Sequence, residues 1–128
     1  MSSQLMLVNR LLRATVKPAL HFISFDENKI GERRGWLCAI ASLVPRPAHT
    51  VVETFRLGAF GAEWVYSEKH ADKAKDRVLL YLHGGAYLVG SPITHRNITA
   101  RLARYGQCRV LAINYRKSPQ YPFPYALE

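Results

Sequence analysis

Two short apolar runs, and the segment that joins them, constrain this chain more than any other feature. Arg77 to Leu82 and Cys108 to Tyr115 are continuous runs and not alternating ones, the pattern of strands buried on both faces in a parallel sheet. Between them the signals of a helix agree with one another. Ser91 can cap it, Pro92 fits its first turn, and Gly106 fits just past its end. Thr94, Ile98, Leu102 and Tyr105 share one face, and Arg96, Arg101 and Arg104 lie elsewhere, the later arginines suiting the negative end of the helix dipole. Strand, helix and strand over about forty residues make a βαβ unit, normally with a right-handed crossover.

The preceding residues read differently. An opening stripe of Leu5, Val8, Leu12 and Val16 has helical spacing, with Pro18 ending or kinking it near Lys17. A second apolar patch runs from Trp36 to Val44 and is stopped by Arg46-Pro47. Residues 50–67 are β-rich, with Gly58 and Gly61 between two runs, which reads as a hairpin at a sheet margin. His70 to Asp76 is a polar loop.

Composition narrows the function classes. At 128 residues the chain is one domain or part of one, and 48% hydrophobic content makes it globular. The net charge of +9 is spread along the chain without a run of five basic residues or a nucleic-acid motif. It therefore reads as solvated surface, with no nucleic acid as a partner. Cys38 and Cys108 read as reduced, buried thiols, and no Cys/His spacing suggests a metal. Residues 1–25 lack Asp and Glu, and Arg10, Arg13 and Lys17 flank the apolar stripe. That segment fits a helix packed on the protein, a surface amphipathic helix, or a weak transit peptide. It is too short and interrupted for a secretory core or a membrane span, so a cytoplasmic location is expected.

The loop after the first buried run is His83-Gly84-Gly85-Ala86-Tyr87. Adjacent glycines let backbone N–H groups turn outward unobstructed, and several such donors facing one cavity can hold a developing oxyanion. Alone, the loop also suits phosphate binding or a tight turn. Its flanks carry more: Val78 through Ser91, then His95-Arg96, then Asn114-Tyr-Arg-Lys-Ser-Pro119, then Pro122-Phe-Pro-Tyr-Ala-Leu127. This resembles the hormone-sensitive-lipase-like carboxylesterases of the α/β-hydrolase fold, with an HGGG-type loop after the third strand. In that family a Tyr-Arg-x-x-Pro segment ends the fourth strand and a Pro-Phe-Pro-x-Ala-Leu segment opens the next helix. The likeness is dense over residues 77–128 and loose before them.

The resemblance implies an α/β chain forming the N-terminal part of an α/β-hydrolase fold: a helical cap segment over 1–48, then over 49–128 a β-hairpin and a βαβ unit of a mostly parallel sheet. It implies a serine ester hydrolase acting on small-molecule esters, without cofactor or metal, and leaves the oligomeric state open. Gly84, Gly85 and Ala86 take the oxyanion-loop positions, with the amides of Gly85 and Ala86 facing the carbonyl oxygen. His83 braces the loop, His95 is structural, and Arg116 packs beneath. Two departures stand out: Ala86 occupies a position that is most often glycine, and Asn114 one that is often aspartate. The Ala86 Cβ is expected to narrow the space and to disfavour esters of bulky tertiary alcohols.

The family's nucleophile sits in a Gly-x-Ser-x-Gly elbow, followed by the acid and then the histidine. None of Ser2, Ser3, Ser24, Ser42, Ser67, Ser91 and Ser118 lies in such a pattern. Nucleophile, acid and base are thus expected to be absent from this chain, which should be inactive alone. Without the fifth strand, Leu79, Leu80 and Leu82 should lie on an exposed edge, an aggregation hazard. A different reading is a non-catalytic hydrolase-derived module that binds a membrane surface or a protein partner through its basic N-terminal helix.

Overall fold

The computed structural model describes residues 29–128 and, before them, Met6, Arg10 and Ala14. The expected stripe of Leu5, Val8, Leu12 and Val16, and the break at Pro18, lie outside the described residues. Helix α1 spans Ile30–Ser42 and the strands β1 and β2 span Thr50–Leu57 and Phe60–Ser67. A 3-10 turn at Glu68–His70 and the short α2 (Ala71–Ala74) lead to β3 (Val78–Leu82), α3 (Pro92–Gly106) and β4 (Arg109–Asn114).

The strands form one mixed sheet in the order β1-β2-β4-β3. β1 and β2 are the expected hairpin, paired antiparallel from Thr50↔Ser67 to Leu57↔Phe60. That register leaves a two-residue turn, Gly58-Ala59, where Gly58 takes the positive φ (59°) that such turns need. β1 is at the margin, but β2 is internal, because it also pairs antiparallel with β4. β3 and β4 run parallel with α3 between them in sequence, the βαβ unit read from the chain. Only that pair is parallel, so this part of the sheet is mixed, as fits an N-terminal portion of the expected fold.

α3 covers one face of the sheet. Val65, Ala100, Ala103, Cys108 and Val110 form the core, with Val52, Leu79 and Tyr81 packed against it. The Ser91 hydroxyl accepts from the Thr94 amide, and the Thr94 side chain accepts from the Ser91 amide, a reciprocal cap. Pro92 is in the first turn as expected. Two readings of this helix are corrected. Gly106 ends the helix, and the left-handed residue beyond it is Gln107 (φ 48°). A Cβ on Gly106 would lie 3.1 Å from the Cys108 Sγ, so close packing explains the glycine there. The packed face is Thr99, Ala100 and Ala103, while Ile98, Leu102 and Tyr105 are exposed. Small side chains let the helix approach the sheet closely, and the larger ones are turned away.

β3 is an edge strand here, not a fully buried one. Leu80 and Leu82 are exposed as expected and Val78 joins them, but Leu79 is turned inward onto the core. β4 is the central strand, with Val110 and Ala112 buried. α1 begins six residues before the apolar patch that marked it in the sequence, and it packs on α3. Trp36, Ile40 and Leu43 of that patch remain exposed, and Ile30 is the buried residue of α1. Residues 122–127 form successive turns in place of a helix start, the Tyr125 amide donating to the Pro122 carbonyl and the Leu127 amide to that of Pro124.

Candidate active-site loop

The loop leaves the carboxyl end of β3, where α/β sheets place their ligand sites. Its backbone is unusual: Gly85, Ala86 and Tyr87 have φ of 127°, 54° and 57°. Glycine adopts such values freely, whereas for an L-residue they cost about 1–2 kcal/mol each, so two residues are held in strained conformations. Such strain persists where surrounding structure imposes it, and it gathers at functional sites. A Cβ on Gly85 would overlap the Val89 carbonyl, so this position admits only glycine.

What imposes the conformation is a set of bonds around the loop. The amides of Leu88 and Val89 return to the Gly85 carbonyl at 3.0 and 2.9 Å. The Ser118 amide donates to the Tyr87 carbonyl at 2.9 Å, and the Tyr115 hydroxyl to the His83 carbonyl at 2.5 Å. From α1, the Arg34 Nε donates to the Leu88 carbonyl at 2.7 Å. Among the described residues, the amides of Gly84, Gly85, Ala86 and Tyr87 donate to no backbone carbonyl. These four residues line a cleft of about 710 Å³ together with Leu57, Phe60, Leu82, Ile113 and Leu127. A row of unused N–H donors along an apolar cleft is an anion trap whose strength rises as water leaves.

His83 is 3% exposed. Its Nδ1 is 2.9 Å from the Gly84 carbonyl, which requires the proton on Nδ1, while Nε2 is buried with no partner among the described residues. Burial pushes the imidazole below its ordinary pKa, and the charges of Lys117 and His95 add to this. The bond to the Gly84 carbonyl acts the other way. The ring stacks on Tyr115 at 4.2 Å and lies 5.7 Å from the His95 ring, which in turn is 5.9 Å from Tyr81. Burial also raises the Tyr115 phenol, with Tyr87 contributing.

His95 sits on the helix cap, its Nδ1 2.8 Å from Thr94 Oγ1 and 3.2 Å from the Ser91 carbonyl. Arg116 is packed over the rings of Phe60, Tyr121 and Tyr125. Asn114 accepts from the Lys117 ammonium at 2.5 Å. Cys108 is buried, whereas Cys38 is half-buried, with Sγ 3.3 Å from Ser91 Oγ. Sequence reasoning missed one pair. Arg96, placed on a solvated face, instead grips the buried Glu63 of β2 with contacts of 2.8, 3.0 and 3.2 Å. Its signal was an acidic residue two positions from Val65, on the same inward face of a β-strand. Among the described residues, no group of three or more His, Cys, Asp or Glu is placed to hold a metal ion.

The sequence profile of the α/β hydrolase fold family matches residues 79–128, and the strand–loop–helix arrangement is consistent with the N-terminal part of that fold. Within that fold the chain resembles part of a hormone-sensitive-lipase-like α/β hydrolase. It is similar to an esterase from the bacterial hormone-sensitive lipase family, 34% identical with a TM-score of 0.66 over 77% of this chain and 32% of that one. A hormone-sensitive lipase from a metagenome library is 30% identical with a TM-score of 0.69 over the same shares. A mutant form of a solved esterase covers 99% of this chain and 40% of its own length, at 30% identity and a TM-score of 0.74. An acetyl-hydrolase of Streptomyces hygroscopicus is 43% identical over 72 residues, 56% of this chain and 23% of that protein. The chain thus spans between 23% and 40% of the length of these relatives.

Proposed function

We propose that the loop 83–87 is the oxyanion hole of a serine carboxylesterase, supplying charge stabilisation to a reaction whose nucleophile, acid and base lie outside these residues. The observation that carries this reading is the run of free amides at Gly84–Tyr87, held in positive-φ geometry along an apolar cleft. When an ester carbonyl is attacked, its oxygen gains a full negative charge. The Gly85 and Ala86 amides would donate to that oxygen in place of water, and the fixed backbone needs no reorganisation as the charge forms. His83 holds the loop and moves no proton in this scheme, because its Nδ1 proton is committed to Gly84 and its Nε2 is buried. Leu57, Phe60 and Leu127 offer apolar surface to the remainder of the ester.

The test is a chimera in which residues 79–128 replace the matching segment of an active hormone-sensitive-lipase-like esterase. It should hydrolyse a short nitrophenyl ester, and Gly85→Ala within it should lower kcat by about 10²–10³, because the added Cβ overlaps the Val89 carbonyl and pushes the loop amides out of line, an effect comparable to losing one oxyanion donor. The chain by itself should show no serine-dependent turnover. A Gly85→Ala chimera with an unchanged rate would remove the loop from the reaction.

A further inference from the structure

A second cavity lies next to the loop cleft and shares Phe60 and Tyr115 with it. It holds about 520 Å³ and is bounded by α1, the β1–β2 turn, the start of α3 and residues 114–121. Its charge is one-sided, since Arg34, Arg116 and Lys117 line it and no Asp or Glu does.

None of the three cations forms an ion pair with a carboxylate among the described residues. Lys117 is 9% exposed, and its ammonium donates to Asn114 Oδ1 at 2.5 Å and the Tyr115 carbonyl at 3.2 Å. Both acceptors are neutral, and an ammonium has a third donor to place. The Arg34 guanidinium likewise meets only neutral oxygens: the Leu88 carbonyl, the Ser118 carbonyl at 2.5 Å and Gln120 Oε1 at 2.9 Å. Three of its five donors are thereby used. Arg116 rests on aromatic faces, which engage its cation and not its edge N–H groups.

Burying a charge without a counter-charge is expensive. Burial and the neighbouring Arg34 charge accordingly press the Lys117 ammonium below its ordinary pKa. One bound anion would relieve all three groups, because charge-assisted hydrogen bonds to carboxylate or phosphate are the strong ones. We propose that this cavity binds an oxyanion, the phosphate or carboxylate group of a small molecule, held by Lys117, Arg34 and Arg116. Phe60 and Tyr121 form an aromatic wall for the body that carries the charged group. The site touches the loop through Arg34, which holds the carbonyls of Leu88 and Ser118 together.

The experiment is equilibrium dialysis of the whole chain with radiolabelled inorganic phosphate or acetate at fixed ionic strength. One-site saturation by either probe at millimolar concentration or below is the expected result. Phosphate alone saturating assigns a phosphate ester as ligand, and acetate alone assigns a carboxylic acid. Lys117→Met and Arg116→Gln should each weaken binding about tenfold or more, the effect of losing a hydrogen bond to a charged group. Arg104→Gln, a change on exposed α3 surface, should leave it unchanged. Uptake by the unaltered chain that never saturates, or that falls equally in all three variants, overturns the site and reduces it to the diffuse attraction of a chain of net charge +9. The first of these results needs no variant to fold.

Discussion

Replacing Arg96 with methionine would leave the Glu63 carboxylate, 2% exposed, without its counter-ion beneath α3. Removing one partner of a buried pair typically destabilises by about 3–5 kcal/mol. The deficit at pH 7 should therefore be about 4 kcal/mol. Urea unfolding followed by the fluorescence of Trp64, the neighbour of Glu63 on β2, reads it. With a slope of about 2 kcal/mol/M, the midpoint at pH 7 should drop by about 2 M. The double variant Glu63→Leu, Arg96→Met should regain most of the loss, because the uncompensated charge has gone. A deficit below about 1 kcal/mol at pH 7, or a double variant no more stable than Arg96→Met alone, would refute the reasoning.

Three further outcomes are expected. Ala86→Gly should raise stability by up to about 1 kcal/mol, since it removes the left-handed penalty at φ 54° but adds chain entropy; in the esterase chimera it should also raise turnover of tertiary esters relative to primary ones. Tyr115→Phe deletes the donor to the His83 carbonyl and should cost about 1–3 kcal/mol in the same urea assay. His83 has a depressed folded pKa, so it stays neutral in the fold while the unfolded chain takes up a proton below about pH 6.5. Its contribution is complete above that pH and is lost as pH falls towards the folded value, and His83→Phe should flatten the slope of Tm against pH on the acid side.

The parts of the fold that were legible in the sequence are those encoded within a few residues of one another. Ser91, Pro92 and Thr94 announce a helix start by themselves, and two β runs around Gly58 announce a hairpin. The loop at His83 was legible because glycines and their flanks carry its geometry locally. What was hidden depends on partners far along the chain. Arg96 and Glu63 lie 33 positions apart, and nothing near Arg96 points to a buried carboxylate partner. The buried face of α3 escaped detection because its alanines are small, and hydrophobic spacing is judged by large residues such as Ile98 and Leu102. Lys117 reads as a solvated cation, and only the closure of α1 onto residues 114–121 buries it.

The strand order has a consequence in time. β4 is central, yet it follows its neighbours β2 and β3 in sequence. When β3 leaves the ribosome its parallel partner does not yet exist, and Asn114 is 32 positions beyond Leu82. At 5–20 residues per second that interval is roughly 2–6 s, during which the apolar run Val78–Leu82 has no strand of this sheet beside it. The hairpin can close early, but the sheet must be completed by insertion into its middle. Chaperone occupancy during synthesis should therefore peak between the emergence of β3 and that of β4.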